Sequence, residues 1–183
     1  MLMRNWLWLC AALAPVLLAL PLVWPQTPLL VLLVYLLSPA YMLHQLEEHW
    51  RDRFRRFIND RVFGGTEALT PAAVFVINVP LVWGVNLGAW ICAATGRSEL
   101  ALVAVYLMLV NALVHSLSAL RFGYNPGLAT SLVVFFPLGG AAAVIAPAPP
   151  AAHPAALGVA LGIHALLVGY AVHRGRRLKA AQP

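Results

Sequence analysis

Apolar residues dominate six stretches of the chain, near 5–24, 28–50, 71–94, 99–120, 126–146 and 154–173, and polar or turn-forming residues interrupt them only briefly. At about 1.5 Å of rise per helical residue, each stretch is long enough to cross about 30 Å of hydrocarbon. The pattern predicts an all-α membrane protein, a six-helix transmembrane bundle forming a single transmembrane domain over 1–183. The interruptions carry turn chemistry: Pro25 and Pro28 around Gln26 and Thr27, Gly64-Gly65, Thr95 to Ser98, Gly123 to Gly127, and the Pro/Ala tract from Pro147 to Pro154. Arg4 followed by an apolar run and Ala12-Leu13-Ala14 resembles a signal peptide, but Pro15 directly after that box argues against cleavage.

Composition strengthens this picture. Of 183 residues 62% are apolar and only 10% charged, too few charges to coat a water-soluble fold of this size. The net charge of +6 raises the question of nucleic acid. The basic residues, however, sit between and after the apolar runs instead of forming one face, so no nucleic-acid partner is expected. With six spans, the N-terminus, the 51–70 loop, the 121–125 loop and the C-terminus share one side and carry eleven of the twelve Lys and Arg, leaving Arg97 on the other. That bias places both termini in the cytoplasm and the chain in an inner membrane as a multi-pass protein. Reporter fusions at Phe63 and Pro183 are expected to agree with each other, and one after Pro150 to report the opposite compartment. A matching signal at all three overturns the span count. Cys10 and Cys92 lie inside apolar runs and imply neither a disulfide nor a thiolate metal site. Between Arg51 and Phe63, arginines alternate with Phe54, Phe57, Ile58 and Val62, a pattern that suits either a helix lying flat on the inner leaflet or a basic loop that fixes topology.

Against this background the second stretch ends unusually, in Tyr41-Met42-Leu43-His44-Gln45-Leu46-Glu47-Glu48-His49-Trp50. At roughly 100° per residue, Glu47 falls about 60° to one side of His44 and Glu48 about 40° to the other, so both carboxylates flank the imidazole. His49 is expected to point elsewhere, and His49, His153 and His173 to be interfacial. Acids inside a span cost several kcal/mol unless paired or hydrated, so a functional role is the default; the structural alternative is pairing with Arg51 or Arg55 at headgroup level. Span four carries Asn111 and His115 at i and i+4 with Ser118 further along the same face. Span three adds Asn78, two residues before the helix-kinking Pro80, and Asn86, while span six adds His164 among Ala160, Gly162 and Gly169.

Depth unites them. His44 lies about 10 Å inside Arg51, His115 about 9 Å inside Arg121, Asn78 about 12 Å inside Thr70 and His164 about 15 Å inside Arg174, all from the same face. A shared polar layer follows. Two histidines and a carboxylate suit a divalent metal, Zn²⁺ first with Fe²⁺ or Mn²⁺ as alternatives, held by three protein ligands with one position open. The expected ligands are His44, Glu48 and His115, since i, i+4 is the spacing helical metal pairs use; Glu47 is then the general base, and Asn111 a catalytic partner steadying an oxyanion. Asn78 or Asn111 is expected to support the ligands; Asn78, Tyr124 and His164 complete the candidate site. A di-iron desaturase or hydroxylase is disfavoured, since such sites call for about eight histidines and the chain has six.

These residues resemble the bacterial integral-membrane proteins named for an HXXEE motif. The resemblance covers His44, Glu47 and Glu48, Asn111 and His115, and the run Arg121, Tyr124, Pro126, Gly127 and Thr130. It implies membrane location in a bacterium and a shared site, but no reaction. Asn125-Pro126-Gly127 also reads as a turn, with Pro126 opening span five.

The leading functional expectation is a metal-dependent hydrolase acting on a lipidic or membrane-embedded amide or ester. A metal-free alternative would be similar to glutamate-type membrane endopeptidases, but their E-E-x-x-x-R pattern requires arginine where this chain has Asp52. A carrier for a metal ion or small polar molecule is a second class, for which six helices are few unless the chain forms a homodimer. A third is an accessory protein whose polar cluster only joins helices.

Overall fold

A computed structural model describes residues 2–181, and among them no strand is present. Six helices are long and apolar enough to cross a membrane, which makes the chain an all-α, multi-pass membrane protein. We name the helices α1 (Leu2–Ala19, closing in a 3-10 turn, Leu20–Val23), α2 (Leu29–His49), a short α3 (53–62), α4 (Pro71–Ala94), α5 (Ser98–Phe122), α6 (Leu128–Ile145) and α7 (Ala152–Ala180). The spans fall within a few residues of the hydropathy pattern except at the end of α7, which continues well past 173. Hydropathy stops where Arg174, Arg176, Arg177 and Lys179 begin; the helix does not, because cations are favourable in a last turn.

Helices α2, α4, α5 and α6 form a closed four-helix core, with α1 laid outside on α2 and α7 outside on α5. One end of the core is dry: Val34, Leu37 and Tyr41 of α2 meet Ala89 and Ala93 of α4, Ala101, Ala104, Val105, Met108 and Ala112 of α5, and Phe135 and Ala142 of α6. The alanines let backbones approach closely, as membrane helices require when lipid offers no hydrophobic drive to pack. At Gly139 a Cβ would sit 2.9 Å from Leu109 Cγ, so α5 and α6 touch there.

The other end of the core is polar. Gln45 of α2 is fully buried and joins three helices: its Oε1 accepts from Trp83 Nε1 at 3.0 Å and Cys10 Sγ at 3.3 Å, and its Nε2 donates to the Asn78 carbonyl at 2.8 Å. Asn78 lies in a π-helical turn, Ile77–Leu81, that contains Pro80. Gln45→Leu leaves the indole N–H and a carbonyl unpaired, and is expected to lower stability in detergent by about 1–3 kcal/mol. Thermal unfolding reads the loss, and metal content is expected to stay as in the wild type.

Backbone geometry ends α2 abruptly. Arg51 and Asp52 both adopt left-handed conformations, φ 55° and 63°, and turn α3 back toward the bundle. Phe54 and Ile58 pack with Trp6, Met42, Leu69 and Val74, Phe57 meets Phe122, and Asn59 clamps the backbone of Leu69 through two hydrogen bonds of 2.8 and 2.9 Å. Phe54, Phe57 and Ile58 thus face protein, not a leaflet surface, and of the four apolar positions Val62 alone is exposed. Arg55 pairs with Asp52 and Glu67, which leaves Glu47 and Glu48 to other partners.

Candidate functional site

Four elements converge at the polar end: the C-terminal turns of α2, the last third of α5, the 123–127 turn, and the start of α6. Glu48 is the centre. Its Oε1 lies 3.0 Å from His115 Nε2, and its Oε2 lies 3.5 Å from His44 Nε2 and 3.2 Å from His49 Nε2. All four side chains are buried, with 1% to 5% of their surface exposed. Ligand atoms of His44, Glu48 and His115 lie within 4.8 Å of one another, a set able to hold a metal ion.

The far ring nitrogens are already committed. Thr130 Oγ1 donates to Glu47 Oε2 at 2.6 Å, so at 2.7 Å from His44 Nδ1 it must accept, and the His44 proton sits on Nδ1. Asn125 Nδ2 donates to the His115 carbonyl at 2.9 Å, which turns its Oδ1 onto His115 Nδ1 at 2.6 Å and assigns that proton too. Both Nε2 atoms therefore present lone pairs to the Glu48 carboxylate, and His44 Nε2 is buried without a hydrogen-bond partner. Acceptors facing acceptors repel unless a positive charge, an added proton or a cation, lies among them. Metal-ligating histidines hold their second nitrogen in this way.

Gly127 covers the cluster. Its φ of +100° suits glycine, and a Cβ there would lie 2.7 Å from both His115 Cε1 and His44 Cε1 and 2.8 Å from Glu48 Cγ. Aromatic walls complete the enclosure: Phe135 lies 4.4 Å from the His44 ring, between ring centroids, and Phe54 lies 5.7 Å from both His49 and His115.

Glu47 faces the other way. Its Oε1 accepts from Tyr124 OH at 2.9 Å and the Ala129 amide at 3.1 Å, and its Oε2 from the Thr130 amide at 2.8 Å and Thr130 Oγ1. A carboxylate from α2 thus caps α6, where the helix dipole and unpaired amides favour an anion. Tyr124, more than half exposed, also accepts from Arg53 Nη2 at 3.3 Å. Burial, reinforced by the Glu47 carboxylate, raises its pKa, which keeps it a donor at neutral pH.

The remaining expected residues lie along a cavity of about 490 Å³ that opens from the cluster, lined among others by Asn78, Asn111, Ser118 and His164. Asn78 is bonded to Gln45 and donates to the Val74 carbonyl; His164 donates to the Ala160 carbonyl at 2.9 Å; Asn111 Oδ1 has no partner. None of the three touches the Glu48 carboxylate through a hydrogen bond or ion pair. His49, expected to point away and lie at the interface, instead contacts Glu48 and is buried. Its φ of −106° and ψ of −2° mark the end of regular helix, so the 100° step no longer places its ring. His153 is half-buried against Tyr106 OH at 3.0 Å, whereas His173 is exposed.

The chain is thus a polytopic helical bundle that buries a His/Glu cluster beneath a glycine turn. Residues 35–142 match the family described as "Protein of unknown function with HXXEE motif", and the chain belongs to that family. No curated protein and no solved structure matches the chain.

Proposed function

We propose that the protein is a metal-dependent hydrolase whose substrate is a lipidic or membrane-embedded ester or amide. The observation that carries this reading is the pair of imidazole nitrogens, each with its proton held on the far side, facing one carboxylate in a water-poor pocket. A His₂Glu donor set with an open position is the ligand pattern of hydrolytic zinc, with iron or manganese as chemical alternatives. A divalent cation held there supplies a Lewis acid and makes water a nucleophile near neutral pH.

The chain's own residues do the rest. Glu48, His44 and His115 bind, Thr130 and Asn125 fix the two imidazole tautomers, and Gly127 with Phe135 keeps bulk water out. Glu47, the base expected from the sequence, has both oxygens engaged by four donors, which supports a role in holding Thr130 on His44. Both ring nitrogens of His49 lack hydrogen-bond partners, and we assign the base there. Water oxygen then bonds to the substrate carbonyl carbon, His49 takes the water's proton, and the same proton passes to the departing oxygen or nitrogen as the carbonyl bond to it breaks. Asn111, on the cavity wall, is assigned to the carbonyl oxygen.

Chelation tests this. Purified protein is expected to carry a stoichiometric metal ion and to hydrolyse amphiphilic acyl esters or amides, with activity lost on chelation and restored by Zn²⁺. His49→Gln is expected to keep the metal and lose the turnover. Metal absent from wild type, or hydrolysis indifferent to chelation, overturns the reading; metal bound without hydrolysis turns it toward a carrier.

A further inference from the structure

The cavity beside the cluster has a shape that specifies more than an apolar substrate. Apart from the His/Glu end and a few amides, its wall is hydrocarbon: Val82 and Val85 of α4, Leu107 of α5, and Ile163, Leu167 and Ala171 of α7. Its volume of about 490 Å³ lies within the range of small-molecule sites, about 300–1,000 Å³. The carboxylate and its three histidines, His44, His49 and His115, form one end, and isolated polar groups such as Asn86, Asn111 and His164 punctuate the rest of the wall.

The mouth is equally informative. Leu81 of α4 and Leu166 and Val168 of α7 line the cavity and are also 51%, 75% and 55% exposed. These side chains lie on membrane-crossing helices, so what they are exposed to is lipid. The packing of α7 explains the gap. The helix is held to α5, with Ala156 and Ala160 buried, and near its other end Gly175 rests on Phe63 while Arg174 Nε donates to the Glu67 carbonyl at 3.1 Å. It is braced at both ends and does not pack along α4, so a window remains between the two.

We propose that this window admits the single acyl chain of an amphiphile from the surrounding leaflet, and that the cavity holds the chain with its carbonyl head at Glu48, His44 and His115. This rests on the hydrolase reading above and deepens it by naming a one-chain acyl substrate and its route. Moving a chain from lipid into an apolar cavity gains little hydrophobic free energy, because lipid tails are already as apolar as leucine. Affinity therefore resides in the head group at the polar end. A carbonyl-headed chain binds, and a bare alkane of the same length does not compete with it.

The test uses full-length protein in detergent and a palmitic acid analogue carrying a diazirine near the chain terminus, with cross-linked peptides mapped by mass spectrometry. The expected labels fall on cavity residues of α4, α5 and α7, are displaced by excess palmitic acid, and are not displaced by hexadecane. Val85→Trp and Ala171→Trp, which fill the cavity, are expected to lose the label. Val133→Trp, on a 75% exposed position outside the cavity, is expected to keep it. Labels confined to outer positions such as Val133 and Val144, or cavity labels that hexadecane displaces as well as palmitic acid, overturn the proposal. So does labelling that persists in both filled variants. Should a filled variant fail to fold, the wild-type map and its competition decide alone. The two readings fail separately: cavity labelling in a protein whose hydrolysis ignores chelation sinks the metal hydrolase and leaves the acyl chamber standing. Metal-dependent hydrolysis with labels only outside does the reverse.

Discussion

Glu48→Gln protein is expected to purify without tightly bound metal, while Glu47→Gln retains it. The adjacent carboxylates differ in burial, Glu48 being buried and Glu47 half-buried, and in the neighbours they meet. Glu48 lies 3.0 Å from His115 and 3.5 Å from His44 through the nitrogens whose lone pairs point inward, and a neutral amide there removes the anionic member of a three-ligand set. Divalent metals bind amide oxygen far more weakly than carboxylate, and an amide NH₂ turned toward either imidazole repels the cation outright. Glu47→Gln instead weakens the cap on α6, an effect on the order of 1 kcal/mol for a charged group at a helix N-terminus. Elemental analysis of both variants beside wild type checks the first expectation, and thermal unfolding in detergent the second. Removing a group that holds a ligand, as in Asn125→Ala, is expected to weaken metal binding about 10–100-fold without abolishing it. Metal lost from Glu47→Gln but kept in Glu48→Gln would reverse the two roles.

Gly127→Ala is expected to be the most damaging single-methyl change in the chain. Its Cβ would stand 2.7 Å from two imidazole carbons and 2.8 Å from Glu48 Cγ, so the three side chains of the cluster must shift together to admit it. Forcing a methyl into close packing costs about 1–3 kcal/mol, and placing an L-residue in left-handed backbone adds about 1–2 kcal/mol. Together they predict a stability loss of about 2–5 kcal/mol, with the metal lost as the rings are pushed apart. Gly123→Ala separates the two contributions. Gly123 also has positive φ, +72°, with ψ −156° in a region that only glycine readily occupies, so its backbone cost is at least as large, but nothing lies within 4 Å of its would-be Cβ. That variant is expected to show only the backbone cost and to keep its metal. Unfolding temperature and metal content, measured on both variants, distinguish crowding of the site from backbone strain.

Much of this was legible in the sequence because hydropathy and helix periodicity are local. Six spans follow from run length. The split between Glu47 and Glu48 follows from the 100° step, which sends one carboxylate to α5 and the other to α6. The common depth of His44 and His115 needed only the rise per residue and the charge bias. What escaped depends on how turns bring distant atoms together. Gly127 read as a turn residue, since a positive φ says nothing of what lies beneath it. Asn125 read as part of the same turn, although its amide fixes a histidine tautomer. Thr130 stood out only as the end of a motif, and its bond to His44 requires α6 to start where it does. His49 was misplaced because the helix ends at that residue. The pattern of 51–63 suits either a leaflet-surface helix or a basic loop, and the inward fold of the segment escapes it because the left-handed pair at Arg51 and Asp52 falls at residues with no glycine or asparagine to announce it.

The cap that Glu47 places on α6 also constrains biogenesis. When α2 leaves the ribosome, Glu48 has only His44 and His49 of its own helix beside it, and Glu47 has none of its four donors: His115, Tyr124, Thr130 and the first amides of α6 have yet to be synthesised. Until then the end of α2 carries uncompensated charge that favours the water interface over the hydrocarbon. The chain between, with α4 and α5, must be made before α2 can settle to its final depth, and Gly127 can cover the cluster only as α6 enters. Integration and maturation of the site are therefore one event. A nascent or truncated chain ending before α6 has neither the cover nor the cap, so the cluster of a half-made protein stays open and unbraced.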